Sequence, residues 1–221
     1  MLLDDAGRQR VADAVAKAEA TTSGELVCIV ERQLEPDKTT PWLVGALAAL
    51  AFPPPLLAAQ LLLLSGGWTD GHGGPDGSLA LLELVVLEGL VFAVFYGLAR
   101  VPAVRRFVEP RSIRAQRVHD AALRHFVSRG VHQTRDRTGV LLFVAEEEHR
   151  AEIVADEGIY AKVDAKVWVE AIEALVAGVK QDDVVSGFER AIAMCGEVLA
   201  EHFPPRPDDI DELSNRLIVL D

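Results

Sequence analysis

Two long apolar runs constrain this chain more than any other feature of it. Residues 42–64 carry no charge over 23 positions, and residues 79–99 carry only Glu83 and Glu88. Each run is long enough to cross a hydrocarbon core of about 30 Å at a rise of about 1.5 Å per residue. A turn-like segment, 65–78, joins them. The pattern predicts a two-pass membrane hairpin, with a buried helical hairpin in a soluble fold as the competing reading. Pro53-Pro54-Pro55 removes three backbone donors near the middle of the first run, which leaves a kinked span and a re-entrant segment both open. Glu83 and Glu88 are costly at membrane depth, so they are expected to face the partner helix or the interface.

Flanking charge sets the expected topology. The 65–78 segment has no Lys or Arg, whereas Arg100, Arg105, Arg106, Arg111, Arg114 and Arg117 follow the second run. Cytoplasmic flanks retain Lys and Arg. Both termini are therefore expected in the cytoplasm of a bacterial inner membrane, with the short loop outside. No cleavable signal peptide is read: a charged helix-like segment precedes the first run, which looks like an anchor that is kept.

The net charge of −12 is unevenly placed. Residues 141–221 carry 19 acidic and 7 basic side chains, and the rest of the chain balances. That argues against nucleic acid as a partner and suits cations or basic proteins. Cys28 and Cys195 each sit in an apolar pattern, which reads as two small buried side chains rather than a disulfide framework or a metal site.

Outside the hairpin the chain alternates helices and short strands. Residues 5–20 have helical periodicity, with Val11 and Val15 on one face. Residues 25–31 and 139–144 are nearly all apolar, as strands buried on both faces should be. Residues 151–155 follow the second strand after a short polar turn, which implies a β-hairpin and a mixed sheet. Helices are expected over 112–128, 163–180 and 182–202, with Pro204-Pro205 stopping the last. A short element is expected at 217–220. A helix and strand of 40 residues cannot fold alone, so the first strand must pair beyond the apolar segment. The fold class expected is α/β: a small mixed sheet in an α/β/α sandwich, interrupted by a two-helix transmembrane hairpin. The expected organisation is a first helix and strand over 1–40, the hairpin over 41–100, the remainder of the domain over 101–205, and a tail over 206–221.

Several stretches together resemble a known family. They are Ser-Gly-Glu-Leu-Val at 23–27, Arg-Gly-Val-His-Gln-Thr-Arg-Asp-Arg-Thr-Gly-Val-Leu-Leu-Phe-Val at 129–144, and Glu-Ile-Val-Ala-Asp-Glu-Gly-Ile at 152–159. Trp168, Gly187 and the Glu-His-Phe-Pro-Pro stretch at 201–205 follow in order. The set resembles the TPM domain family, and in particular its bacterial membrane-anchored branch. The resemblance covers 5–35 and 112–205. It implies a compact α/β/α domain, divalent-cation binding, chiefly Ca²⁺, in some members, and acid phosphatase activity in some relatives. It also implies a LemA-like helical membrane or envelope protein as a partner.

Three acids follow from the expected hairpin. Asp136 lies just before the second strand, and Asp156 and Glu157 lie just after the third. In a hairpin those ends meet, and hard cations prefer such oxygen clusters. Asp136, Asp156 and Glu157 are the candidate ligands of a weak divalent-cation site, with ordinary loop acids as the alternative. No phosphate loop or cysteine-arginine signature is present; Arg135, Arg137 and His132 are the nearest groups to Asp136 that would serve phosphoryl chemistry. The histidines show no zinc spacing and read as surface or capping groups. The functional expectation is a membrane-anchored accessory or interaction domain on the cytoplasmic face that binds a divalent cation. The alternative is a metal-dependent hydrolase of phosphoric monoesters.

Overall fold

A computed structural model describes residues 4–35, 39–52, 77–160, 162–163, 165–208 and 210–220. The chain divides into two compact units, one made of Met1–Glu35 with Arg114–Asp221 and the other of Pro36–Ile113.

The first unit is built on four strands: β1 (Glu25–Glu31), β2 (Gly139–Ala145), β3 (Arg150–Ala155) and β4 (Ile218–Leu220). Their order is β3-β2-β1-β4. β1 runs parallel to β2 and to β4, while β2 and β3 form the expected antiparallel hairpin, so the sheet is mixed. The first strand indeed pairs beyond the apolar segment, with Glu25 opposite Gly139 and Glu31 opposite Ala145. Both central strands are apolar because both of their faces are covered.

Each face has its own core. Leu26, Cys28, Val30, Val140, Leu142 and Val144 point toward α1 (Asp5–Glu19) and toward two later helices, Ala165–Lys180 and Val184–His202. Val27, Ile29, Leu141, Phe143 and Ala145 point the other way, against Val118, Ala121, Ala122 and Phe126 of the helix Arg111–Ser128. Among the described residues, three long helices pack on one face of the sheet and one on the other. That single helix is also tied down by polar side-chain contacts. Arg117 pairs with Glu148 at 2.6 Å, His125 with Glu31 at 2.9 Å and His119 with Glu152 at 3.1 Å.

Local chemistry explains the helix limits. Asp4 caps α1 by accepting from the Gly7 N–H at 2.8 Å. Asp183 caps the helix Val184–His202, and its hydrogen bonds from Ser186 hold its carboxyl below the usual range. Gly178 and Gly187 let the last two helices touch through their backbones, since a Cβ on Gly178 would sit 2.7 Å from the Gly187 Cα. The two cysteines are free and buried in the same core, and burial pushes both thiols well up, that of Cys195 to about 12.

The second unit holds α2 (Thr39–Ala51) and α3 (Gly77–Arg100), followed by α4 (Pro102–Val108). We number the helices after it α5 (Arg111–Ser128), α6 (Glu157–Tyr160), α7 (Ala165–Lys180) and α8 (Val184–His202). Trp42 on α2 packs against Phe92 and Tyr96 on α3, with ring centroids 5.5 and 5.1 Å apart. The outer flanks are apolar and open: Trp42, Leu47 and Leu50 on α2 and Val86, Leu90 and Val94 on α3 are all at least half exposed. Among the described residues no helix is long and apolar enough to cross a membrane. The expected two-span hairpin is thus not shown. Only the part of its first run up to residue 52 is described, and the rest of that run, the proline triplet and the joining segment through residue 76 lie outside the described residues.

Candidate functional site

One end of the sheet gathers most of the acids of interest. Glu25 opens β1 opposite Gly139, and the Asp156 N–H donates to the Gly139 carbonyl at 2.9 Å. The starts of β1 and β2 and the end of β3 therefore lie side by side.

The expected ligands occupy one part of this end. Asp156 is buried, at 4% exposure. Its Oδ1 accepts the Glu157 N–H at 2.7 Å and lies 3.4 Å from Arg137 Nε. Its Oδ2 is buried with no hydrogen-bond partner. Such an orphan costs about 1–3 kcal/mol unless something meets it. Asp136 is bound by the Arg206 guanidinium. Glu157 is exposed and opens the one-turn helix α6.

The two turns do meet. A Cβ on Gly158 would lie 2.7 Å from the Arg137 carbonyl oxygen and 3.0 Å from that of Asp136, so only glycine fits there. Arg137 has a left-handed backbone, φ 59°, and its guanidinium donates to the His132 carbonyl at 2.8 Å. These contacts aim the arginine across the Asp156 carboxylate. The structure thus brings the backbones of both turns together while two of the three carboxylates face arginines.

A second group, which sequence reasoning missed, stands beside it. Oxygens of Glu19, Glu25 and Asp211 all lie within 4.8 Å of one another, a spacing that suits a metal ion. Among the described residues this is the group of three acidic ligands with that spacing. Glu19 ends α1, and its Oε1 accepts the Leu26 N–H at 2.8 Å. Glu25 is 6% exposed and accepts the N–H groups of Glu212 and Leu213 at 3.3 and 3.4 Å. Burial raises the Glu19 carboxyl to about 8, against the Leu26 hydrogen bond, with Glu25 and Asp211 raising it further. Burial raises Glu25 as well. A cation bound here would compete with a proton on Glu19. Two signals in the sequence point to this group. Glu19 closes a helix at the negative end of its dipole, and Glu25 stands just before the apolar run Leu26–Val30 of its strand.

A mixed sheet between helices, with buried carboxylates at one end, defines the class of fold. Residues 100–198 match the family model of the TPM domain. The chain is also similar to the NMR structure of the BA42 protein from the psychrophilic bacterium Bizionia argentinensis. The TM-score is 0.58 and the identity 21%, covering 99% of this chain and 96% of that one. At that identity the likeness speaks for the fold alone. No curated protein matches the chain.

Proposed function

We propose that this protein is a membrane-anchored TPM-domain module. In this reading the 36–113 unit is seated in the bacterial inner membrane, and the sheet unit stands on the cytoplasmic face as an interaction domain. The observation that carries the reading is the open apolar flank of α2 and α3, where Trp42, Leu47, Leu50, Val86 and Leu90 are each more than half exposed. Contiguous exposed apolar surface of that kind calls for a membrane or a partner. The arginines between 100 and 117 supply the direction, because they suit an anionic inner leaflet while residues 65–78 carry no Lys or Arg. Strand pairing adds a constraint: β1 and β2 are hydrogen-bonded, so whatever the segment between them crosses, it crosses an even number of times. The test is topological. A reporter active only in the periplasm is expected to work when inserted at Gly73 and to be silent at Asp221. The reverse pattern, or silence at both, would overturn the reading.

The same proposal includes weak divalent-cation binding at the Asp156 end. The orphaned Oδ2 of Asp156 supports it, and the carbonyls of the 136–137 turn, packed against Gly158 two residues on, offer further oxygen donors at this end of the sheet. Glu157 is open to join, whereas Asp136 would have to leave Arg206. Isothermal titration with Ca²⁺, Mg²⁺ and Mn²⁺ is expected to give heat at millimolar metal that Asp156→Asn removes. Absence of heat, or heat unchanged in the variant, would sink it. A partner on the acidic sheet unit, LemA-like by family resemblance, is expected to co-purify in stoichiometric amount from solubilised membranes.

A further inference from the structure

We propose that α4 is a membrane-interface wedge. Phe107 enters the headgroup layer of anionic phospholipids, and the arginines of the 100–111 stretch offset the charge of those lipids. The inference rests on the reading that the 36–113 unit is seated in a membrane, and it names the lipid chemistry that this part of the unit takes.

α4 begins where α3 is made to stop. Pro102 has no N–H to continue α3, and its fixed φ suits the first turn of a new helix. The Val101 N–H donates to the Leu98 carbonyl and the Val104 N–H to the Val101 carbonyl, both at 3.0 Å, so α4 leaves α3 through a hydrogen-bonded turn. Val104, Phe107 and Val108 stand at the i, i+3, i+4 spacing of one helix face. That face is open. Phe107 is 92% exposed, the highest value for a large hydrophobic side chain among the described residues, and Val101 and Val108 are exposed as well.

Two observations indicate what covers it. The first is charge. Residues 100–113 carry Arg100, Arg105, Arg106 and Arg111 against one acid, Glu109. Glu109 is buried, whereas Arg100 and Arg111 are exposed. The stretch is therefore positive toward solvent, which suits lipid phosphates. A second copy of the chain would set the same positive stretch against itself, and like charges across an interface repel. The second observation is an aromatic belt at one end of the helix pair. Trp42, near the start of α2, packs on Tyr96, near the end of α3, and the Arg100 guanidinium lies 5.4 Å over the Tyr96 ring. Trp and Tyr rings gather at the level of lipid headgroups. α4 starts directly beyond Arg100, so it leaves the pair at the end that this belt marks. Phe on one side and arginine in the same short stretch is the composition of an interfacial helix, which binds through apolar insertion and phosphate attraction together.

A depth measurement on the full chain in lipid vesicles tests this. A nitroxide is attached at Phe107→Cys and, for reference, at Leu90→Cys, while the buried Cys28 and Cys195 are expected to stay unlabelled. Both replaced side chains are more than half exposed, so the changes remove little packing. In vesicles of phosphatidylglycerol with phosphatidylcholine, both labels are expected to collide with oxygen and to be shielded from a water-soluble nickel chelate. In phosphatidylcholine alone, or with Arg105→Gln and Arg106→Gln added, nickel collisions at position 107 are expected to rise at least about threefold, while those at position 90 hold. A label at 107 that meets the chelate equally in both lipids, with 90 shielded, overturns the wedge and leaves the membrane anchor in place. Exposure of 90 to the chelate overturns both. Equal shielding of 107 in both lipids overturns the wedge too, since it shows cover that does not depend on anionic lipid, and shielding that persists in detergent would identify that cover as protein.

Discussion

Asp156 and Glu25 lie at the same end of one sheet, at 4% and 6% exposure, yet their neighbours are of opposite kinds. Asp156 faces Arg137, and its companion Asp136 faces Arg206. Glu25 faces Glu19 and Asp211, with no cation in the cleft among the described residues. A buried carboxylate needs its charge offset, and there are two cheap ways to do it. An arginine can be placed beside it, or a proton can be kept. The first part of this sheet end uses arginine and the second uses a proton. The practical difference is that an arginine pair is fixed across ordinary pH, whereas a proton leaves when the pH rises.

Mutations at each part should separate the two solutions. The largest effect is expected at Asp156→Ala, which removes the acceptor of the Glu157 N–H and strands Arg137 in its left-handed conformation. A loss of about 2 kcal/mol by urea denaturation is the expectation. A loss under about 0.5 kcal/mol would show that Arg137 does not depend on it.

Glu19→Gln should act in the opposite direction and only over part of the pH range. Glu19 has a folded value of about 8, above its ordinary 4.5. Between those two values the folded state binds the proton and the unfolded chain does not. The contribution of Glu19 to stability therefore falls as the pH rises from about 4.5 to about 8 and is level outside that window. The glutamine variant lacks this slope. After allowance for partial exposure, its advantage at pH 8.5 over its own standing at pH 4.5 is on the order of 1 kcal/mol. Parallel stability profiles for the two proteins would contradict this account.

The smallest effect is expected at Arg206→Ala. Its pair with Asp136 is partly exposed, so about 0.5–1 kcal/mol is expected by thermal or urea unfolding, with no change in pH slope between 6 and 9. A steep new slope there would mean that Arg206 also serves the Glu25 cluster.

Much of the sandwich could be read from local pattern. The strand at Glu25–Glu31 was expected with those limits, and the helices ending at Lys180 and His202 were expected to end there. Burial on both faces makes β1 and β2 continuous apolar runs, which stand out against the helical spacing around them. The Asp136 and Asp156 turns were brought to one end of the sheet by hairpin geometry alone, and the contact of Gly158 with the 136–137 carbonyls agrees with that placement. What the chain order does not encode is which charges meet. Arg206 lies 70 residues from Asp136, and Asp211 lies 186 residues from Glu25, so no periodicity relates them. The helix Pro102–Val108 was not anticipated either, since it reads as part of an arginine-rich flank.

Composition and periodicity determined the sheet, its helices, the interruption after the first strand and the uneven acidity of this protein. They did so because backbone pairing and apolar burial act on runs of residues that are local in the chain. The tertiary structure alone decided that β4 would close the sheet beside β1 and bring Asp211 to Glu19 and Glu25. That step depends on where a tail lands after the sheet has formed, and electrostatic partners are chosen by distance in space rather than by distance in sequence.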